Sequence, residues 1–458
     1  MSSLKPSQPP PPKILGNIRR QLTAATCTLL TCTSHASGLI ASGDNWKIDS
    51  ALLLYAERDR VLLAEGVLHL SKEIDDDEYI NTRIVTDVLT GSSPNGAVPS
   101  NTPQTFTNPS GNSTYTEPAN KTPLNHTFKD FRNAVNVEWG APLTRDLRGT
   151  LGGNISREYD YLSTGISASL SQDLNQHNTT LSLGGSWNED ISNPVGGVPV
   201  GFTVMPSAPA IKALSGSDAN KTIKELLLGF TQVINRRSLL QLNYSRGQGD
   251  GYLTDPYKII SVLSNDGSGN LRTINPYIYE NRPRQRIYNS VYLKSVYQFN
   301  TPLLHENVLN MSYRYFWDDW GVQSDTVDMR LRFDLEGGHY LQPHFRYYQQ
   351  GAADFYRQTL IDGEEITLDY ASADYRLGRF TTKTIGLKYG YEFFNGAEIN
   401  FRVEFINQNG KDRRQDAVGL LRNQKLFPDN EALLLQGGLS LDSDMIIEYV
   451  ARIYHKLF

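Results

Sequence analysis

Cysteine is nearly absent from this 458-residue chain, which holds only Cys27 and Cys32. Both lie close to the N-terminus, so the rest of the chain has no disulfide, no thiolate metal site and no cysteine nucleophile. Long apolar runs are missing as well. Beyond the N-terminus none reaches the roughly 18 unbroken residues that a spanning helix needs, and helical spacing of apolar residues fits almost nowhere. Basic excess is absent too: 44 Lys and Arg face 49 Asp and Glu, which argues against a nucleic-acid partner. No two histidines stand at i and i+4 on a helix, no Gly-x-Ser-x-Gly elbow occurs in a strand-to-helix setting, and the Gly-rich loops carry no phosphate-binding pattern. The expectation is therefore no catalytic residue, no resident metal and no cofactor.

Aromatic residues are plentiful, with 25 Tyr and 17 Phe, and charged residues make up 20%. Such a chain is too polar for a bundle of membrane helices and too aromatic for a disordered polymer. The N-terminus reads as a targeting segment. A Pro-rich lead precedes Lys13, Arg19 and Arg20, then a modestly apolar run, then the small-residue end "SHA" at Ala36. These features fit a secretory signal and leader over residues 1–43, with cleavage near 36–43. A lipidated Cys32 is a weaker alternative, because Thr31 fits poorly before it. Removing the four basic residues of that segment leaves 40 basic against 49 acidic residues, a charge of −9.

What the chain has in abundance is period-two alternation. In "TVDMRLRFDL", Val327, Met329, Leu331, Phe333 and Leu335 are apolar, while Asp328, Arg330, Arg332 and Asp334 between them are ionised. A strand puts alternate side chains on opposite faces, so this stretch has one oily and one charged face. "NVLNMSYRYFW", "KTIGLKYGYEFF" and "GAEINFRVEF" repeat the pattern. Strands are expected at 46–57, 60–72, 79–90, 131–141, 147–157, 161–172, 178–188, 222–234, 237–248, 285–299, 306–317, 324–335, 340–350, 380–393, 397–408 and 445–457. The run 432–441 competes with the last of these.

The connections sort by end. Short ones ("EIDDDE", "PLTRD", "DLNQHN", "NRR", "NTPLL", "EGGH", "FNGA") share one end of the strands, and long ones near 91–130, 189–221, 249–284, 351–379 and 409–444 all fall at the other. Short turns on one side and long loops on the other mark an outer-membrane barrel, and closed barrels are the strand-built structures that satisfy every backbone group in hydrocarbon. The fold class read from the sequence is an all-β, transmembrane, antiparallel up-and-down barrel of about sixteen strands over residues 44–458. Trp139, Trp187, Trp317, Tyr389, Tyr391 and Phe393 suit interfacial girdles, and Phe458 supplies a terminal aromatic. The location expected is the outer membrane of a Gram-negative bacterium, with membrane lipid as one partner.

The stretches "LLYAERDRVLLAEGVLHLSK", "DVLTGSSPNGA", "SYRYFWDDWGVQSDT", "FRYYQQGAADFY" and "YRLGRFTTKTIGLKYG" resemble a family of Gram-negative outer-membrane barrels known only as a domain of unknown function. The resemblance covers essentially the whole chain after the leader. It implies location and architecture and brings no established activity. It also implies a genomic neighbourhood of thioredoxin-like proteins and flavin transferases, and hence a redox-linked pathway.

The candidate functional residues are the charges with lumen parity: Arg314, Asp328, Arg330, Arg332, Asp334, His344, Arg346, Lys388, Glu392, Glu398, Arg402 and Glu404. Both signs alternate, so neighbours can pair across strands, which fits a stiffened wall or a held plug better than the single-sign rings of a strongly selective pore. Loop 91–130, poor in large aliphatics, is expected to build no core of its own and to lie on the surface or enter the lumen. "SNDGSGN" at 264–270 and the acidic stretch with Asp362, Glu364, Glu365, Asp369 and Asp374 offer oxygen ligands but lack a full calcium-loop spacing. Two functions compete: a channel or transporter for a small solute, and a non-conducting scaffold that holds a periplasmic, lipoprotein or surface partner in a redox-linked export or assembly pathway. A membrane-embedded hydrolase is a distant third.

Overall fold

In a computed structural model the described residues are 46–442, apart from 76, 210–211, 266–270, 302–306, 394–396, 412–420 and 422–423. The expected leader at 1–43, the strand expected at 445–457 and Phe458 lie outside them. Sixteen strands hydrogen-bond in one closed antiparallel ring. In chain order the first eight are β1 (Trp46–Glu57), β2 (Val61–Asp75), β3 (Glu78–Pro94), β6 (Leu124–Pro142), β7 (Leu147–Arg157), β8 (Tyr161–Leu174), β9 (Thr179–Ser192) and β12 (Ala219–Asn235). The second eight are β13 (Ser238–Gly251), β16 (Gln285–Phe299), β17 (Asn307–Asp318), β18 (Gln323–Asp334), β19 (His339–Gln350), β21 (Phe380–Phe393), β22 (Ala397–Gly410) and β23 (Asn430–Asp442). The remaining strands, β4 (Gln104–Thr107), β5 (Thr114–Glu117), β10 (Val198–Pro199), β11 (Leu214–Gly216), β14 (Ile259–Asn265), β15 (Leu271–Tyr279) and β20 (Thr359–Ile361), belong to the long connections.

One expectation needs correcting. The closing strand is β23, which pairs with β22 on one side and with β1 on the other, from Glu57↔Ala432 to Lys47↔Asp442. The apolar triplet Leu433, Leu434 and Leu435 obscures its alternation in the sequence. In the ring, Leu433 lies opposite the outward Phe405, which puts Leu435, Leu439 and Leu441 on the same side, while Ser440 turns inward to hydrogen-bond Asp49. The last long connection accordingly ends at 429 rather than 444.

The apolar half of each strand forms the outer surface. Ile166, Ile385 and Phe405 are 69%, 64% and 64% exposed, and Met329, Phe345, Tyr389, Phe401, Trp139 and Trp187 join them. Side chains so apolar and so bare are stable only against lipid. All connections at one end of the barrel are of two to seven residues, and the five long ones, of 19 to 33 residues, all leave the other, together with the short turns 58–60, 158–160 and 319–322. Tight turns at the short end use left-handed residues, among them Asp77, Gln176 and His177.

The inner face is uneven around the ring. On β7, β8 and β9 it carries small neutral groups, as in the cross-strand pairs Thr150–Ser169 at 2.7 Å and Ser171–Ser182 at 3.0 Å. From β16 to β22 it carries charge. Tyrosines fold over glycines directly opposite on the next strand, among them Tyr288 over Gly247 and Tyr340 over Gly390. A Cβ at either glycine would lie 2.2 Å from the ring, so the close approach requires glycine.

Candidate functional site

The long connections are not loose. The first, residues 95–123, folds back as the β4–β5 hairpin and buries Phe106 completely against Ala97, Ile259, Tyr277 and Tyr279. It therefore shares a core instead of lying free on the surface, because aromatic and aliphatic groups from other connections supply what its own sequence lacks. At the centre lies a three-stranded sheet in which β14 pairs with β15 and, in parallel, with β20. Val98 and Leu263 pack with Leu421 and Leu426, and Ile260, Val262, Ile278 and Leu360 pack with Ala371 and Ala373. Phe202 and Met205 of the 193–218 connection pack against the same clusters, so all five long connections join one dome.

The dome crosses the mouth. Its 252–284 connection starts between β13 and β16, yet Lys258 donates to the carbonyl of Pro94 at the end of β3, and Tyr257 donates to Asp160 between β7 and β8. In the ring β3 stands six strands from β13, and β8 three.

Six charges, three of each sign, fasten this sheet to the 351–379 connection, and Lys258, Glu280 and Asp374 among them are buried. Arg282 lies 2.7 Å from Glu280 and 2.8 Å from Asp374. Arg376 reaches both carboxylate oxygens of Asp374 at 2.9 Å and Asp255 at 2.6 Å. Glu280 also accepts from the Asp255 backbone N–H at 2.8 Å and from the Ser372 hydroxyl. Burial pushes the Asp374 carboxyl up, but Arg376, Arg282 and Lys258 together outweigh it and hold it well below the usual carboxylate range. For Glu280 burial wins over the pull of Arg282 and its carboxyl is raised, while burial pushes the Lys258 ammonium down against the attraction of Asp255 and Asp374. Of the acidic stretch considered for calcium, Asp374 is spent on this cluster, and Glu364 and Glu365 accept from the backbone N–H groups of Ile361 and Gly363. Among the described residues no group of three or more His, Cys, Asp or Glu is arranged to hold a metal. "SNDGSGN" lies largely outside them.

Below the dome the twelve candidate charges occupy neighbouring strands and divide into two networks joined by a histidine. Farther from the dome, Arg332 pairs with Asp334 at 2.6 Å and Glu392 at 2.9 Å and stacks 3.8 Å over the Tyr340 ring. Lys388 meets Glu398 at 3.2 Å, and Glu398 also accepts from the Tyr340 hydroxyl and from Asn400. His344 stands between the networks with one ring nitrogen 2.9 Å from Asp328 and the other 2.8 Å from Glu404, which in turn is 3.8 Å from Arg402.

Nearer the dome, Arg314, Asp328, Arg330 and Arg346 line a cavity of about 600 Å³. Its roof is the dome itself, through Arg282, Asp374, Arg376 and Leu377. Arg330 lies 3.3 Å from Asp328. Sequence reasoning missed Arg282, Arg286, Lys294 and Arg376, which also line this cavity. Lys294 shares the alternation of its strand and was findable from it. The two dome arginines stand in loops, where parity has no meaning. Their signal was the density of opposite charges in "DPYK", "YENRPR" and "ADYRLGR".

A closed sixteen-stranded ring with a bare apolar exterior, a polar interior and all long connections at one end defines an integral β-barrel of the outer-membrane class. Residues 19–441 match the model of a family described as "Protein of unknown function (DUF3570)", and the chain belongs to that family. No curated protein matches it in sequence. Among solved structures it is similar to a bacterial polysaccharide outer membrane secretin (8% identity, TM-score 0.40, covering 87% of this chain and 98% of that one). It is also similar to CdiB from Acinetobacter baumannii (8%, TM-score 0.44, 86% and 60%) and to OccD3 (OpdP) from Pseudomonas aeruginosa (10%, TM-score 0.38, 88% and 92%). At such identities the likeness concerns the barrel fold and nothing of cargo.

Proposed function

We propose that the protein is a channel or transporter for a small solute, with the loop dome as the closure of its outer mouth and no enzymatic role. The observation that carries this reading is the cavity of about 600 Å³, which runs from the strand-borne lumen wall to the underside of the dome. Its volume falls in the range of small-molecule sites, and a barrel of sixteen strands is wide enough to leave an aqueous interior. The small neutral wall of β7 to β9 faces the charged wall and leaves room between them. Export behind a cleaved 1–43 leader is part of the proposal, and N-terminal sequencing of the mature protein tests it.

Single-channel recording on the purified barrel in a planar bilayer tests the main claim, with the intact protein set beside Asp374→Asn, which loosens the dome. Openings in the intact protein, or in the variant alone, support a pore and a closable mouth respectively. Silence in both favours the other reading, a scaffold holding a periplasmic or surface partner.

A further inference from the structure

We propose that the cavity beneath the dome is a binding site for a small oxyanion, a solute bearing carboxylate or phosphate groups. The inference names the solute class within the transport reading and rests on that reading for its role in the cell, while the site itself rests on the wall chemistry.

Three cations carry the argument. Among the described residues, no carboxylate lies within ion-pair distance of Lys294, Arg314 or Arg346, although other arginines of the same wall have such partners: Arg286 has Asp318 at 2.6 Å, Arg330 has Asp328 and Arg282 has Asp374. Register brings the three together. Lys294 lies opposite Ser312, Ser312 opposite Asp328 and Asp328 opposite Arg346, so Lys294 and Arg346 end one continuous cross-strand row. Arg314 stands one lumen position closer to the dome, opposite Thr326. Arg314 and Arg346 are both exposed to the cavity, and from the roof Arg376 presents a side chain that is 56% exposed while its other edge grips Asp374.

Cations without a carboxylate at ion-pair distance, held in a recess with protein walls, raise the local potential and concentrate anions, even with Asp328 opposite Arg346. Guanidinium forks match the paired oxygens of carboxylate and phosphate, and Ser312, Ser324 and Thr326 add neutral hydrogen-bonding groups to the same lining. A wall meant only to be rigid would pair these three charges, as the network around Tyr340 does.

The test is calorimetric titration of the full-length barrel in detergent with citrate and, separately, with inorganic phosphate. The wild type is expected to bind at least one of them saturably and more weakly as salt rises. The variant Lys294→Gln/Arg314→Gln/Arg346→Gln should lose affinity by about tenfold or more for each contact removed. Arg332→Gln, in the paired network, should bind as wild type and so controls for a general loss of charge. Equal binding by the triple variant, or no binding of either anion by a wild type whose heat-modifiable gel mobility shows a folded barrel, overturns the site. Anion binding with bilayers silent in every variant upholds the site and overturns transport; steady currents without binding or anion preference do the reverse.

Discussion

Asp374→Asn is the most informative single change in the dome. The substitution keeps shape and removes one charge from a neutral set of six. Asp374 is 1% exposed, and its carboxylate receives Arg282 at 2.8 Å and the Arg376 Nε at 2.9 Å from both oxygens. Removing it leaves two guanidinium groups facing a neutral amide and one uncompensated positive charge under the dome. Breaking a buried pair from one side typically costs about 3–5 kcal/mol. None of that energy belongs to the barrel, whose sixteen ladders do not use Asp374. The cost should therefore appear as opening of the dome, and even 3 kcal/mol shifts a closed-to-open ratio by about 150-fold. Hydrogen exchange followed by mass spectrometry should show protection lost across 252–284 and 351–379 and kept in β1 to β3. A second change, Arg282→Met, should recover part of the loss, because it restores neutrality with two charges of each sign. Unchanged protection in the single variant, or additive losses in the double, would refute a neutral electrostatic latch.

On the lipid face, Ile385→Arg should cost about 2–4 kcal/mol near the bilayer midplane; urea unfolding in lipid vesicles reads this, with Lys388→Met on the inner face expected to be milder. Gly390→Ala pushes a methyl to 2.2 Å from the Tyr340 ring, so it should destabilise by about 1–3 kcal/mol of overpacking in the same assay. Glu158, between β7 and β8 at the mouth, has its carboxyl pushed up to about 7 by burial and by the Asp130 and Asp160 charges. A raised carboxyl stabilises the fold fully below its unfolded value and loses that contribution as pH rises through about 7. Exchange protection around 155–165, corrected for intrinsic rate, should thus fall between pH 6 and pH 8 in the wild type and hold steady in Glu158→Gln.

The barrel was legible because its physics is local: a side-chain period of two and the parity of turn lengths survive without knowledge of partners. That sufficed for fifteen of the strands. The sixteenth failed where three consecutive leucines, 433 to 435, hid the alternation and a cleaner-looking run at 445–457 competed with it. The inner charges could be assembled on one wall because register follows from parity. The dome was not legible, since Phe106 packs on Tyr277 and Arg282 pairs with Asp374, 92 residues on in the chain, through separate connections, and no period constrains a loop. The cavity inherits that limit: its strand-borne wall, with Arg314 and Arg346, could be read from the chain, and its roof could not.

The central sheet of the dome also makes it a reporter of assembly. β14 comes from the connection between the ninth and tenth strands of the ring and β20 from that between the thirteenth and fourteenth, while Phe106 arrives from the third and Leu421 from the last. These pieces meet only when strands from all around the ring are in place, so loop-closure entropy delays the dome until the cylinder is shut. A nascent or misregistered barrel would carry its long connections as open polypeptide, accessible to surface proteases, and a finished one would not. Resistance to cleavage within 252–284 during refolding would then time ring closure itself, at a position far from the seam where β1 meets β23.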